Sequence, residues 1–515
     1  MKKFFLSALL SISLPLFTRG QAGLPDPTFD GDGITIFDDA TGFGTILSIG
    51  LQSDGKIIIA GRMTTDSQYN NWVFYRFTPA GKHDSTFGVN GKASIDFLSD
   101  EDFGCAVAIQ GDNKIVACGL TKVGGLYYGV IARLTADGSL DNSFNGSGKV
   151  ILSYASELDG IALEPGGNIV VVGRANDVNT NTFLIRRFLT DGSIDASFIP
   201  TNLQISTYNW ANACVISPDG KIFVSGITYD NQYNQRFVVL KYNSGGSIDT
   251  TYGMDGVATV DFDEFSEEDE PYLALDPEGR IVISGYGMET MKNDVVLARF
   301  TTDGILDSTF SNDGKLTTDV FGYVDRGRAV TIQPDGKILV TGYARENILT
   351  SGVVLIRYND DGSLDTPFAN NGIAYNSFDE SAEGWDLLLQ PDGKILVSAY
   401  GYLNNGYITE VAVLRFLNDI ALNTEDVTIS KGSRVTIYPN PLHDLGMLEF
   451  SLAGKESIAF DLFDLEGRKI KRIAEGDFSE GDHRLFFQRE GLNDGIYFLQ
   501  LKSGHETFIR KMLIE

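Results

Sequence analysis

The chain has 515 residues, 43% of them hydrophobic, and a formal net charge of −28. An acidic surface repels phosphate backbones, so the composition argues against a nucleic-acid-binding function, and we expect no nucleic-acid partner. Glycine is abundant, with 57 residues, and long helix-forming tracts are lacking, which favours many short strands joined by tight turns.

The N-terminal segment has the pattern of a secretory signal peptide. Two lysines precede the apolar run FFLSALLSISLPLF, and small residues follow it. This order predicts a signal peptide over residues 1–20, cut between Gly20 and Gln21, with cleavage after Ala22 as an alternative. The run is too short to span a bilayer comfortably, and we expect no transmembrane segment in the mature chain.

Three sequence markers each occur seven times in the following part of the chain. One is a turn phrase such as IQPDGKILVTG (332–342), which returns every 53–59 residues. A second phrase, Leu/Ile-Asp-x-Ser/Thr-Phe with small variations, recurs in step with it. The third is a basic residue before an apolar one, at Arg76, Arg133, Arg187, Lys241, Arg299, Arg357 and Arg415. Self-similarity at a fixed period indicates a repeat architecture.

Each repeat is predicted to contain four antiparallel strands, which we name A to D. In the copy around Gly336 they are 327–333, 337–342, 353–358 and 373–378. Seven such units predict an all-β fold, a seven-bladed β-propeller over residues 21–416, with a linear stack of repeats as the alternative.

The two ends of the repeat region supply complementary strands. Residues 33–38 read as a D strand and residues 411–416 as a C strand. We therefore expect the N-terminal strand to complete the last blade, which closes the ring without a free sheet edge.

The C-terminal part has a different pattern. Residues 417–434 are polar and are predicted to form a linker. Alternating apolar runs over 435–515, with turns between them, predict a small C-terminal β-sandwich.

Both regions are similar to known families. The repeat phrases resemble the delta-60 repeat of bacterial secreted proteins. The tail resembles the C-terminal sorting domain of type IX secretion, through Pro439, Asn440, Pro441, Gly467 (LFDLEGRKI), Gly495 (DGIYFLQL) and Lys511 in the terminal RKMLIE. The resemblance implies a Bacteroidetes-type bacterium, the type IX machinery as a partner, and a secreted protein that is extracellular or held at the outer-membrane surface. An ordinary accessory sandwich is the alternative.

The sequence contains no recognisable catalytic set. The propeller region has one histidine, His83, which replaces the Leu or Ile of other copies and is interpreted as a repeat variant. Zinc and nucleotide motifs are lacking, so we assign no catalytic residue, no metal and no cofactor. The recurrence of the Asp and Arg markers favours a role in building the blades. The cysteines Cys105, Cys118 and Cys214 are predicted to be free thiols.

Function is expected where the copies differ, in the D–A and B–C loops at one end of the ring. Candidate ligand-binding residues there are Asp100, Asp102, Tyr233, Asp263, Glu264, Asp386 and Tyr407. Clustered carboxylates suit calcium, and aromatic with amide side chains suit sugars. We therefore expect a non-enzymatic binding or adhesion protein with a glycan or surface-protein ligand. The alternatives are a glycan hydrolase that uses loop carboxylates (Asp386, Asp325, Asp159 and Glu157), and a purely structural surface protein.

Overall fold

The structure is a computed structural model, and the chain divides into two compact units, Met1–Ile420 and Ala421–Glu515. The structure describes residues 22–37, 44–64, 70–97, 101–176, 181–201, 203–229, 234–262, 267–289, 292–378, 381–403, 408–419, 435–438, 445–452, 454–463, 469–479, 481–489, 492, 495–503 and 506–514. Within these residues every regular element is a strand, and no helix has the length and hydrophobicity needed to cross a bilayer.

The first unit is a propeller of seven blades in antiparallel sheets. After β1 (Ile34–Phe37), the strands of blades 1 to 3 are β2 (Gly44–Leu51), β3 (Ile57–Thr64), β4 (Asn70–Phe77), β5 (Lys92–Ile95), β6 (Asp102–Ile109), β7 (Ile115–Val123), β8 (Leu126–Leu134), β9 (Lys149–Leu163), β10 (Ile169–Asn176) and β11 (Asn181–Phe188). Strand β9 is continuous from the D position of blade 2 to the A position of blade 3.

The remaining blades follow the same order. Blade 4 contains β12 (Asn209–Ile216), β13 (Ile222–Tyr229), β14 (Gln235–Tyr242) and β15 (Val257–Val260), and blade 5 contains β16 (Glu267–Leu275), β17 (Ile281–Glu289), β18 (Lys292–Phe300) and β19 (Lys315–Thr318). Blade 6 contains β20 (Asp325–Ile332), β21 (Ile338–Arg345), β22 (Ser351–Tyr358) and β23 (Ile373–Asn376), and blade 7 contains β24 (Ser381–Leu389), β25 (Ile395–Leu403) and β26 (Ile408–Phe416). The predicted seven-bladed fold is confirmed.

The N-terminal strand closes the ring as predicted. Strand β1 pairs antiparallel with β26, from Ile34 opposite Leu414 to Phe37 opposite Val411. The chain after β26 stays attached to the propeller, because the Leu417 N–H donates to the Leu24 carbonyl at 2.8 Å. The predicted linker over residues 417–434 lies mostly outside the described residues and stays a prediction.

Blade 3 departs from the predicted four strands, because the described residues after β11 contain no D strand. In the other six copies a glycine follows the marker aromatic by four residues, as in Gly148, whose N–H donates to the Phe144 carbonyl at 2.7 Å and whose φ is +78°. Blade 3 has Asn202 at this position and Pro200 before it. Proline lacks the N–H that a ladder needs, so the sequence of this copy does not favour a D strand here.

The three sequence markers pack together. In blade 1, Arg76 Nε donates to Asp84 Oδ2 at 2.8 Å, and the guanidinium lies over Phe87, 4.9 Å from the ring centroid. Arg76 Nη1 also donates to the Ala136 carbonyl of blade 2 at 2.7 Å. The Arg–Asp pair recurs in blades 2, 3, 5, 6 and 7. The interpretation of these residues as blade-building groups is confirmed.

The core lies between neighbouring blades. One cluster joins Ile58 and Phe74 of blade 1 to Ile115 and Val130 of blade 2. Another joins blade 1 to blade 7 through β3, β4, β25 and β26. Because strands B and C are buried on both faces, their sequences read as almost continuous apolar runs.

The second unit contains two antiparallel sheets, as the sandwich prediction requires. One has the order β27 (Val435–Tyr438), β28 (Leu445–Leu452), β31 (Gly481–Gln488), and the other β30 (Lys469–Phe478), β29 (Glu456–Phe463), β32 (Gly495–Ser503), β33 (Glu506–Ile514). Their shared core includes Leu448, Phe450, Phe460, Leu499 and Met512.

Two of the three cysteines are confirmed as free thiols. Cys118 and Cys214 lie in β7 and β12, and burial raises the pKa of both, that of Cys214 to about 12. The side chain of Cys105 lies outside the described residues. His83 packs against Phe37, with ring centroids 4.3 Å apart, which agrees with its interpretation as a repeat variant.

Candidate functional site

The A strands of all blades form an inner ring. Each contacts the A strands of both neighbouring blades, and β24 contacts β2 to close the ring. Because A and B strands are antiparallel, the A strands begin and the B strands end on the same side. We call this side the mouth, and the D–A and B–C connections lie there.

Every A strand has a β-bulge at the same level of the ring. The bulges fall at Leu47, Cys105, Asp159, Asn212, Glu270–Pro271, Arg328–Ala329 and Trp385. A bulge leaves a residue outside the ladder and redirects its side chain. Because the residue types at the bulges differ between blades, the inner ring presents different residues at one level while its backbone arrangement repeats.

A cluster of polar and aromatic side chains at the mouth joins blades 6 and 7. The Arg328 guanidinium carbon lies 3.4 Å from the centroid of the Trp385 ring, and Arg328 Nη2 is 3.8 Å from Glu383 Oε2. Tyr400 donates its hydroxyl to Glu383 Oε2 at 3.0 Å, and its ring lies 5.8 Å from that of Trp385. We call Arg328, Glu383, Trp385 and Tyr400 the Trp385 cluster.

The Trp385 cluster combines an accessible ring with fixed polar groups. Trp385 and Glu383 are half-buried, whereas Arg328 and Tyr400 are buried. Burial, with the nearby charge of Glu383, raises the pKa of Tyr400 above its ordinary value. Tyr400 is therefore a neutral hydroxyl at physiological pH, and the cluster offers a hydroxyl, a guanidinium and a carboxylate around an indole.

A second stack joins blades 3 and 4. The Arg174 guanidinium lies 3.8 Å from the Trp210 ring centroid and donates to both oxygens of Glu157 at 2.7 and 2.8 Å. Trp210 Nε1 donates to Asp159 Oδ2 at 2.8 Å. Both carboxylates of this stack are engaged by neighbouring side chains, so the stack serves to hold blade 3 against blade 4.

Sequence reasoning missed these stacks, although a signal was present. The residue after the repeated B-strand glycine, or its Ala399 equivalent, is Arg62, Leu120, Arg174, Ile227, Tyr286, Tyr343 and Tyr400. It is large in every copy, and in several blades it contacts a residue of the next blade, as Arg62 does with Phe103 at 4.7 Å. An alignment of the seven copies would have shown that this position always holds a large residue, and would have indicated contacts between blades at the mouth.

The acidic residues proposed for hydrolysis lie on strands, which corrects their predicted position in loops. Glu157 and Asp159 are within β9, Asp325 opens β20 and Asp386 is within β24. Asp386 Oδ2 accepts from the Ser48 hydroxyl and the Ile49 N–H of blade 1, each at 3.0 Å. The half-buried Asp386 thus links the last blade to the first.

Two further acidic residues hold loops at the mouth. Asp102 Oδ2 accepts from the Phe97 N–H at 2.9 Å, and Asp325 Oδ2 accepts from the Val320 N–H at 2.6 Å. Both are buried, and burial raises the pKa of Asp102 above its ordinary value and that of Asp325 to about 6. Each caps a D–A loop, which the sequence pattern alone did not indicate.

The other predicted positions are only partly covered by the structure. Asp100, Tyr233, Asp263, Glu264 and Tyr407 lie outside the described residues, as do Gly20, Gln21, Pro439, Asn440, Pro441 and Gly467. Gly495 opens β32, and Lys511 of β33 lies opposite Phe498. The roles predicted for all these residues stay predictions.

The sequence matches two family models. A secretion system C-terminal sorting domain matches residues 436–515. A beta-propeller domain of unknown function, DUF5122, matches seven times, over 52–87, 110–144, 165–198, 217–252, 277–310, 333–368 and 390–419. The region 52–419 therefore contains seven repeats that match this propeller family, and the tail directs export by type IX secretion to the cell surface or the extracellular space. No curated protein matches the sequence.

Solved structures with a similar fold include proteins of several kinds. A Dyadobacter fermentans protein of unknown function has 15% identity and a TM-score of 0.43, covering 75% of this chain and 100% of its own. A PL25 ulvan lyase bound to -[GlcA(1-4)Rha3S]- has 12% identity and a TM-score of 0.45, covering 73% and 94%. Sqt1 from Chaetomium thermophilum has 13% identity and a TM-score of 0.41, covering 75% and 98%. At these values the similarity carries no functional argument.

Proposed function

We propose that this secreted propeller is a non-catalytic binding protein that holds a carbohydrate at the mouth, over the junction of blades 6 and 7. The Trp385 cluster is the observation that carries the proposal. Carbohydrate ligands present apolar C–H faces and hydroxyl edges, and a site for them combines an aromatic face with a few placed polar groups.

The geometry of the cluster suits such a ligand. Trp385 is half-buried, and the guanidinium of Arg328 at 3.4 Å holds its ring in place. Glu383 offers acceptor oxygens and Tyr400 a hydroxyl beside the same ring. Groups fixed before the ligand arrives lose little conformational freedom on binding, which favours affinity.

The carboxylates favour binding over hydrolysis. A glycosidase needs two carboxyl groups on either side of the scissile bond, one of them free to accept or donate a proton. Each of the four carboxylates considered for hydrolysis makes a structural contact instead. Glu157 pairs with Arg174, Asp159 accepts from Trp210, Asp325 caps a loop and Asp386 accepts from blade 1. These four carboxylates therefore stabilise the propeller itself.

Binding to a broad glycan array, followed by titration of the bound oligosaccharides, tests the proposal. We expect Trp385→Ala to lower affinity at least tenfold, about 1.4 kcal/mol or more, since it removes the stacking surface. Trp210→Ala is the matched control, because it removes an arginine-stacked tryptophan from another blade junction, and it should leave affinity within about twofold.

Two results would contradict the proposal. One is the absence of binding to any glycan by the folded chain. The other is binding that Trp385→Ala leaves unchanged, which would place the ligand elsewhere on the surface. Circular dichroism of each variant verifies that the propeller is intact.

A further inference from the structure

Three aspartates meet where blade 5 contacts blade 6. Asp294 belongs to β18, Asp319 follows β19, and Asp325 opens β20. One carboxylate oxygen from each lies within 4.8 Å of those of the other two, and Asp294 and Asp325 are buried whereas Asp319 is exposed. The cluster therefore has a closed inner side and an open outer side.

The loop between β19 and β20 wraps around these carboxylates. The N–H groups of Val320 and Phe321 donate to Asp325 Oδ2 at 2.6 and 3.3 Å, and the Gly322 N–H donates to Asp319 Oδ1. The second oxygen of Asp325, Oδ1, is buried and has no hydrogen-bond partner. A buried carboxylate oxygen without a donor is unfavourable, so this atom points to a ligand that comes from outside the protein.

Blade 4 shows that holding the loop does not require a carboxylate. Asn209 of β12 occupies the position that Asp325 occupies in β20. Each lies two residues before the A-strand residue that pairs with the repeated B-strand glycine. Asn209 Oδ1 accepts from the Ser206 N–H at 3.1 Å, and its Nδ2 donates to the Ser206 and Asn181 carbonyls at 2.8 Å. A neutral amide is therefore sufficient to hold this loop in blade 4. The presence of three acidic residues around the equivalent position in blade 6, Asp325, needs another explanation.

We propose that Asp294, Asp319 and Asp325 bind a calcium ion that joins blade 5 to the mouth loop of blade 6. Calcium takes oxygen ligands at roughly 2.3–2.6 Å, so oxygens on opposite sides of the ion lie about 4.6–5.2 Å apart. One oxygen from each aspartate lies within 4.8 Å of those of the other two, so all three can share one calcium coordination sphere, and water completes the coordination. Magnesium demands near-ideal octahedral geometry and keeps several of its waters, so three protein carboxylates favour calcium.

Three carboxylates whose oxygens lie within 4.8 Å of one another repel each other, and a bound cation offsets this repulsion. The site is separate from the Trp385 cluster, and the proposal does not depend on carbohydrate binding.

The test measures calcium and terbium binding by the full chain after treatment with EDTA. Terbium replaces calcium on oxygen ligands and emits when tyrosine nearby is excited, and Tyr323 lies within the loop itself. We expect calcium to raise the midpoint of thermal unfolding by several degrees and to displace terbium, with magnesium acting at least tenfold more weakly.

Asp319→Asn is the first variant, because Asp319 is exposed and its loss leaves the core unchanged. It should weaken calcium binding at least tenfold, and Asp294→Asn should do the same. Asp313→Asn is the matched control, an exposed aspartate before β19 whose Oδ1 accepts only from Lys315 N–H among the described contacts, and it should bind as the unmodified chain does.

Two outcomes would overturn the proposal. The first is an unmodified chain with neither a calcium-dependent thermal shift nor displaceable terbium emission at millimolar calcium. The second is calcium binding of equal strength in the Asp319→Asn and Asp294→Asn variants, which would place the ion among other acidic residues.

Discussion

Replacing Arg76 with methionine should destabilise the propeller strongly. Arg76 is 5% exposed and Asp84 is 7% exposed. The substitution keeps the side-chain volume similar but removes the 2.8 Å contact to Asp84, the hydrogen bond to Ala136 of blade 2 and the stacking on Phe87. Asp84 then remains buried without its cation, which costs about 3–5 kcal/mol.

That free energy corresponds to a measurable thermal shift. The propeller unit, Met1–Ile420, has an unfolding entropy of roughly 0.8–0.9 kcal/mol/K, from about 2.1 cal/mol/K per residue. A loss of 3–5 kcal/mol should therefore lower the unfolding midpoint by about 4–6 °C, measured by circular dichroism or calorimetry.

Lys241→Met in blade 4 is the natural comparison. Lys241 lies 3.7 Å from Asp249, and Asp249 also contacts Lys221 at 3.1 Å. Because Asp249 keeps one cation after the substitution, we expect a loss of about 1 kcal/mol or less. A shift below about 1 °C for Arg76→Met, or equal shifts for both variants, would refute the role assigned to the buried Arg–Asp pair.

Two further predictions concern the A and B strands of the blades. Gly342→Ala should cost about 2 kcal/mol or more, because a Cβ at Gly342 would lie 1.8 Å from the Arg326 carbonyl oxygen. In the equivalent position of blade 7, Ala399→Gly should cost about 1 kcal/mol or less. Burial raises the pKa of Asp386 to about 6, so the folded chain binds this proton more tightly than the unfolded chain. Stability should therefore fall by about 1–3 kcal/mol between pH 4 and pH 7, and Asp386→Asn should remove this loss.

Denaturant titrations of paired variants measure both effects. Equal stability losses for Gly342→Ala and Ala399→Gly would contradict the close approach at the bulge. For Asp386, the stability difference between Asp386→Asn and the unmodified chain should grow in favour of the variant as pH rises. A difference that does not change with pH would mean that the carboxyl titrates normally in the folded chain.

The fold was predictable because local signals agree with one another in every copy. The turn phrase, the Asp-aromatic phrase and the basic residue each recur seven times, and the complementary ends at 33–38 and 411–416 predicted the closing pair of β1 and β26. The exception in blade 3 was also visible, since Asn202 stands where other copies have glycine.

The site was less predictable, because it depends on register. A bulge shifts the ladder by one residue and moves Arg328 and Trp385 out of the pairing pattern, and no sequence period indicates such a shift. The meeting of Asp294 with Asp319 and Asp325 likewise depends on how neighbouring blades pack. Acidic residues such as Asp386 were predicted to lie in loops because the surrounding sequence is acidic. In the structure Asp386 lies in a strand and stabilises the contact between two blades.

The most direct test of the central claim is a mass-spectrometric analysis of array-positive oligosaccharides after prolonged incubation with the purified chain. We predict that the chain retains the oligosaccharide and that it is recovered at full length, because the candidate carboxylates are engaged in the scaffold. Shorter products that appear with the unmodified chain would contradict this and identify a hydrolase.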